Sequence, residues 1–259
     1  MRSIEQEIKD KRSVAVMFSG GVDSTLLAKL AHDALGKDAI ALTVVSPLID
    51  PREIEEAKEI AENIGIEQAL IEMNELDDPY FTSNPPDRCY RCRILRNGRV
   101  KEWAEERGIR TIADGLNYDD LKDYRPGIRA SADIWHPFIE LCMGKEEIRE
   151  RAKALGLKNW NKPGNACFAS RFPYNFELNK EKVDLVRKSE NFLIEMGFKS
   201  VRVRYFPFNF ASIETEDLEK ALLFRAEIVS ALRSFGFSFV ALDLEGFQSG
   251  KLNRTVTFR

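Results

Sequence analysis

The run Ser19-Gly20-Gly21-Val22-Asp23-Ser24-Thr25 carries the residue types of an anion cradle. It follows five apolar residues, Val14 to Phe18, and precedes a helical pattern with Leu26, Leu27 and Leu30 on one face. A strand, a glycine turn and a helix start in that order aim unpaired N–H groups and a partial positive charge at one spot. Glycine lets the backbone close on a phosphate there. A nucleotide P-loop would need a lysine before the Ser/Thr, whereas Asp23 precedes Ser24. An acidic side chain beside phosphates suggests a magnesium ion or a different cut in ATP. Gly20-Gly21 alone fits an ordinary strand–turn–helix joint better, and the whole Ser19 to Thr25 string after a strand favours the cradle.

Four other places hold chemistry-bearing side chains. Asp114-Gly115-Leu116-Asn117-Tyr118-Asp119-Asp120 offers oxygen ligands for magnesium, or a solvated turn of the kind Gly, Asn and Asp favour. Cys89 and Cys92 form a C-x-x-C pair among Arg88, Arg91, Arg93, Arg96, Arg99 and Lys101. Those charges favour thiolates and would draw an anionic substrate. With only His32 and His136 available, a zinc site would need both other cysteines, and packed helix cysteines or a solvated basic face remain open. Cys167 stands in an irregular segment with Arg171 close enough in sequence to stabilise a thiolate, whereas Cys142, between Leu141 and Met143, reads as packing. Arg202 and Arg204 share one strand face, which suits a phosphate or carboxylate unless Glu214 pairs with one of them.

These residues need elements to carry them. Strands are expected at 14–18, 39–45, about 68–71 and 111–113, with a further one near 134–136. Between them lie helices at about 24–35, from Pro51 to Gly65, and about 87–107. The alternation predicts an α/β fold with a parallel sheet and ligands at the carboxyl ends of the strands. A helix from Lys145 stops at Gly156, and 157–178 is irregular. A second α-β-α-β run follows: helix 180–196, strand 201–205, helix 216–235 and strand 237–242. The division is placed at 1–175 and 176–259.

The 259 residues are 44% hydrophobic and 31% charged with a net charge of −3, so no basic field argues for nucleic acid. No run approaches the roughly 18 apolar residues of a membrane span, and the polar start, Met1 to Gln6, does not read as a secretory leader. Four cysteines then read as cytoplasmic thiols or ligands, not a disulfide framework.

The string Ser19 to Thr25 resembles the pyrophosphate loop of the AMP-forming ATP pyrophosphatases, the PP-loop family, whose members cleave ATP between the α and β phosphates. Nearly the whole chain resembles the LarE family, sulfur transferases of nickel-pincer nucleotide synthesis. The likeness rests on that loop, on Asn84-Pro85-Pro86-Asp87-Arg88-Cys89-Tyr90-Arg91-Cys92, and on Asp114 to Asp120 with Arg125-Pro126-Gly127. It extends through Lys145 to Arg149, Trp160-Asn161-Lys162-Pro163, Ala166 to Tyr174, Arg202-Val203-Arg204 and Asp243 to Gly246.

The resemblance implies a PP-loop domain with a smaller C-terminal α/β domain for substrate binding or oligomerisation. It implies ATP and Mg2+ at Ser19, Gly20, Gly21, Asp23, Ser24 and Thr25, with Asp114 and Asn117 nearby. Adenylation of a carboxylate of a pyridinium-3,5-dicarboxylate mononucleotide, release of pyrophosphate and sulfur insertion would follow. Cys89, Cys92 and Cys167 match members that hold a [4Fe-4S] cluster and take sulfur from a sulfide donor, and Arg202 with Arg204 matches a substrate-phosphate pair. Sacrifice of the Cys167 sulfur and a tRNA-thiolating PP-loop enzyme are the alternatives. A homo-oligomer is implied, a membrane or nucleic-acid partner is not. Asn175, His136 and Cys142 depart from the family pattern.

Overall fold

The computed structural model describes residues 3–122, 130, 133–164, 166–248 and 250–255. Arg125-Pro126-Gly127 and Asn165 lie outside the described residues. The elements are α1 (Ile4–Lys11), β1 (Val14–Met17), α2 (Val22–Leu35), β2 (Ala39–Val45), α3 (Pro51–Ile64), β3 (Glu67–Glu72), α4 (Pro79–Thr82), α5 (Arg88–Glu106) and β4 (Thr111–Ala113). After them come α6 (Pro137–Glu140), α7 (Lys145–Ala154), α8 (Lys180–Glu195), β5 (Val201–Phe206), β6 (Phe210–Thr215), α9 (Leu218–Leu223), α10 (Arg225–Phe235) and β7 (Phe239–Leu242). They form two compact units, Met1–Asn74 with Cys89–Asn165, and Glu75–Arg88 with Ala166–Arg259. The second unit thus starts before residue 176 and borrows a segment from the middle of the chain.

The first unit is a parallel sheet in the order β3-β2-β1-β4. Strand β1 is central, so both its faces must be covered, and its sequence is apolar throughout. Val14 and Val16 join the core under α1, α2, α3 and α7, while Ala15 joins the opposite core with Val100 and Ala104 of α5. Alternation along one strand therefore binds helices to both sides of the sheet. The chain runs outward from β1 to β3, then returns to β4 on the other side of β1. That reversal opens a crevice at the carboxyl ends of β1 and β4, where ligands of such sheets sit. The glycine turn and the Asp114 segment are the two loops that leave those ends.

Helix α3 shows how local sequence sets a boundary. The Asp50 side chain caps its start by accepting from Arg52 N–H, Pro51 occupies the first turn, and Gly65 ends it in the left-handed region at φ 84°. The strand expected near 134–136 is reduced to one bridge, Ala113 with Trp135.

In the second unit β5 and β6 form an antiparallel hairpin and β7 adds parallel to β6. The apolar pattern gives no sign of β6 and predicts a single helix over 216–235, where α9 and α10 are separate and meet at Phe224. The hairpin turn places Phe208 (φ 67°) and Asn209 (φ 51°) in the left-handed region. Phe-Asn lacks the glycine that usually signals such a turn. Segment 75–88 is tied into this unit by backbone bonds: Asn175 N–H donates to Asn84 O and Leu178 N–H to Thr82 O, each at 2.8 Å.

Candidate functional site

The turn after β1 is built to present backbone N–H groups. Gly20 sits at φ +68°, and a Cβ there would stand 3.2 Å from both Cα and Cβ of Ala57. Gly21 precedes α2 without any side-chain cap on the helix start, so the first N–H groups of α2 keep their donor capacity. The hydroxyls face inward to shape the turn. Ser24 Oγ donates to Gly21 O at 3.1 Å and accepts from Ser19 N–H at 3.2 Å. Asn159 clamps the loop from behind, its Nδ2 donating at 2.9 Å to Gly20 O and at 2.9 Å to Thr25 Oγ1.

Asp23 lies in the first turn of α2, where the helix dipole favours a carboxylate. Its Oδ1 accepts from Asn117 Nδ2 at 3.4 Å, and its Oδ2 bonds Lys145 Nζ. The Asp23–Lys145 pair is partly exposed. Such a pair contributes about 0.2–1 kcal/mol of stability, so its larger effect is to fix a cation and a carboxylate beside the turn. Lys145 also donates its backbone N–H to Asp119 Oδ2 at 2.8 Å. Hydrogen bonding from Lys122, then from the Lys145 N–H, holds the Asp119 carboxyl below its ordinary value.

Asp114 is buried and fully engaged. Oδ1 meets His136 Nδ1 at 2.7 Å and accepts from Leu116 N–H at 3.1 Å, while Oδ2 pairs with Arg93. It anchors the loop and α5 more than it offers a free oxygen. Asn117 is a turn organiser as well: its Oδ1 accepts from Asp119 N–H at 3.0 Å, and its N–H donates to Asp120 Oδ2 at 3.0 Å. Gly115 presses on the cradle itself, since a Cβ there would fall 2.8 Å from the Ser24 nitrogen.

Cys89 is exposed and Cys92 half-buried in the first turns of α5, spaced i and i+3 on one face. In the second unit Cys167 is exposed and precedes the short 3-10 turn Phe168–Arg171. Arg171 is not poised on its thiol. Its Nε and Nη2 donate to Glu190 at 2.9 and 3.0 Å, and its Nη1 donates to Ala166 O, Cys167 O and Ser170 Oγ. This buried pair fixes the backbone of the cysteine loop against α8 and β5, where Glu190 also accepts from Val203 N–H. Cys142 is exposed at φ 55°, which corrects its reading as a packed residue.

Arg204 pairs with Glu214 at 2.7 Å and donates to Ser170 O at 2.8 Å. The ion pair raised by the sequence is therefore formed for this arginine. Arg202 stacks its guanidinium 5.2 Å from the Phe247 ring centre. Among the described residues no group of three or more His, Cys, Asp or Glu side chains is gathered to hold a metal ion.

The sequence brings in Lys145 only through the family resemblance and His136 only in weighing a zinc site and as a departure from the family pattern, and it assigns neither to this loop. Lys145 carried a signal: a cation at a helix start opposes the helix dipole, in a first turn otherwise acidic with Glu146 and Glu147. His136 carried none.

The parallel sheet, its switch point and the uncapped Ser-Gly-Gly turn define an enzyme of the PP-loop, ATP-using class. The NAD synthase family model matches residues 1–92. An uncharacterized protein of Synechocystis is 41% identical over 99% of this chain and 98% of its own length. The pyridinium-3,5-bisthiocarboxylic acid mononucleotide synthase of Lactiplantibacillus plantarum is 36% identical over 96% of this chain and 92% of its own. An NH3-dependent NAD+ synthetase of Pyrococcus furiosus is 43% identical over 57% of this chain and 58% of its own. The chain belongs to the LarE family of sulfur-transferring synthases.

Proposed function

We propose that the protein adenylates a carboxylate of a pyridinium-3,5-dicarboxylate mononucleotide with ATP and then inserts sulfur to give a thiocarboxylate. The observation that carries this reading is the uncapped start of α2 behind a clamped Ser-Gly-Gly turn, in a chain alike over its length to a bisthiocarboxylic acid synthase. Backbone N–H groups from Val22 to Ser24 receive the β and γ phosphates, and Ser19 and Thr25 keep the turn in shape. A substrate carboxylate oxygen attacks the α-phosphorus. The bond from the α-phosphorus to the bridging oxygen breaks, and pyrophosphate leaves with the electron pair. A sulfur nucleophile then attacks the acyl carbon, and AMP leaves.

Lys145 neutralises charge between Asp23 and the phosphates as pyrophosphate departs, a use of preorganised charge. The loop suits magnesium, because carboxylate oxygens are its usual ligands and Asp23 Oδ1 carries only a 3.4 Å bond from Asn117 Nδ2 beside the Lys145 pair on Oδ2. Asp23 would hold the ion, with Asn117 and Asp114 ordering its surroundings. Cys89 and Cys92, one turn apart on α5, would serve as two thiolate ligands of a [4Fe-4S] cluster, and the family resemblance implies Cys167 as the third. When bound, that group supplies an open iron able to carry sulfide from a sulfide donor.

In this reading 1–175 carries nucleotide cleavage, and 176–259 carries substrate recognition through Arg202 and Arg204 and assembly as a homo-oligomer in the cytoplasm. The exposure of Cys167 also suits direct donation of its own sulfur. The test is an anaerobic turnover of the full chain with ATP, magnesium, sulfide and the dicarboxylate mononucleotide, followed by mass spectrometry of substrate and protein. A product with sulfur in place of oxygen and an intact Cys167 supports the cluster route, and loss of the Cys167 sulfur selects self-donation. Absence of any thiocarboxylate rejects the function.

A further inference from the structure

Arg88 has no part in the chemistry above, yet it is the most unusual charge in the second unit. The residue is 6% exposed, and its Nε and Nη1 are sealed from solvent with no hydrogen-bond partner. Arginine stays protonated and brings five N–H donors. Neighbouring Asp87 is turned towards Tyr80 OH, 2.8 and 2.7 Å from its two oxygens, and makes no bond to Arg88 Nε or Nη1. The guanidinium lies 4.6 Å from the centre of the Tyr174 ring, which is itself anchored by a 2.9 Å bond from its hydroxyl to Asn253 Oδ1. A ring face attracts the charge but gives no acceptor to N–H groups that lie in the guanidinium plane.

The surroundings hold the arginine in place, and only its Nε and Nη1 are sealed without a partner. Asn84 takes φ 55° and is fully buried, its Nδ2 donating to Pro173 O at 2.7 Å and its own carbonyl accepting from Asn175 N–H at 2.8 Å. That latch fixes segment 84–88 against 173–175, the two strings that flank Arg88 and Tyr174. Buried polar groups in folded proteins are paired as a rule, so the buried Nε and Nη1 donors of Arg88 call for an acceptor.

We propose that Arg88, backed by the face of Tyr174, is the receiving group of an oxyanion subsite for carboxylate or phosphate oxygens. The proposal rests on the sulfur-transfer reading only in taking that oxyanion to be part of the mononucleotide substrate. Arg88 contacts the ligand, and Tyr174 and Asn84 position Arg88.

The test uses the full chain without ATP and two probes, pyridine-3,5-dicarboxylate and inorganic phosphate, titrated separately by calorimetry and by thermal shift. Wild type is expected to bind at least one probe, and the one bound says whether carboxylate or phosphate is the source. Arg88→Met is expected to weaken that binding at least about tenfold, the scale of a lost charge-assisted contact, while its ligand-free melting temperature stays equal or rises. Arg88→Lys, which keeps the charge without the planar donor set, is expected to fold and to lose most of the affinity. Unchanged affinity in both variants, a ligand-free melting temperature that falls in both with binding intact, or no binding of either probe by wild type overturns the subsite. Arg88-dependent binding in a protein that forms no pyrophosphate supports the subsite while the adenylation reading fails.

Discussion

Three glycines of the first unit meet three kinds of neighbour, and replacing each with alanine separates space from function. Gly98 lies inside α5, and a Cβ there meets nothing within 4 Å. Alanine is the better helix former by about 0.8–1 kcal/mol, so Gly98→Ala should raise stability by roughly that much. At Gly144 the added Cβ falls 2.7 Å from Asp119 Oδ2, the far end of a side chain that can turn away. Turning away gives up the bond to the Lys145 N–H, a loss of about 1 kcal/mol. At Gly115 the contacts are 2.8 Å to Ser24 N, 2.9 Å to the Asp23 carbonyl carbon and 3.0 Å to Asp23 Cβ.

Backbone cannot rotate out of the way at that third site. Restoring an ordinary 3.4 Å contact requires a displacement of roughly 0.6 Å at the start of α2. Overpacking of this kind costs about 1–3 kcal/mol, or roughly 3–9 °C in melting temperature for a chain of this size. The functional loss should be larger. A shift near 1 Å of a positioning group costs about 100-fold, so Gly115→Ala should lower pyrophosphate release at least about tenfold. The assay is coupled pyrophosphate detection at saturating ATP, with calorimetric melting of all three variants. Wild-type turnover and melting in Gly115→Ala would refute the placement of Asp114-Gly115 against the cradle.

Further outcomes follow from the charge networks. Lys145→Met should change melting by less than about 3 °C, since partly exposed pairs contribute little, yet lower pyrophosphate release by about 100-fold, the scale of a lost preorganised charge; stopped-flow pyrophosphate detection checks the split. Arg171→Met or Glu190→Gln alone should destabilise by about 3–5 kcal/mol because each strands a buried partner, whereas the double variant Arg171→Met/Glu190→Gln should recover much of the loss; urea unfolding measures the cycle. In the second unit burial pushes the Asp243 carboxyl up, but hydrogen bonds from Lys251 and from the Glu245 N–H, with the Lys251 and Arg204 charges, outweigh it and leave it below 3.8. A depressed carboxyl stabilises the fold above its unfolded value and loses that contribution as pH falls through the folded one. This one carboxyl should therefore add a modest loss of melting temperature below about pH 4, and Lys251→Met should reduce that loss while lowering melting at neutral pH.

Much of the first unit was legible because its elements are dictated locally. Strands β2 and β4 start and stop at the residues their apolar runs mark, and α3 is bracketed by Asp50-Pro51 and Gly65. The cradle was legible for the same reason: a strand, a glycine turn and a helix start are consecutive. What stayed hidden depends on distant partners. Nothing near Asp114 announces that Arg93 and His136 will occupy both its oxygens, and nothing near Arg171 announces Glu190. Strand β6 is hidden by its turn, because Phe208, 87% exposed, takes a left-handed backbone conformation that a phenylalanine rarely adopts and that no glycine announces.

The central claim is that a substrate carboxylate oxygen attacks the α-phosphorus of ATP at the turn after β1. The most direct measurement uses substrate labelled with 18O in its carboxylates, turned over once with unlabelled ATP, and mass analysis of the nucleotide released. AMP carrying one 18O atom, formed with an equal amount of pyrophosphate, is the predicted result. Unlabelled AMP, or ADP in its place, would contradict it.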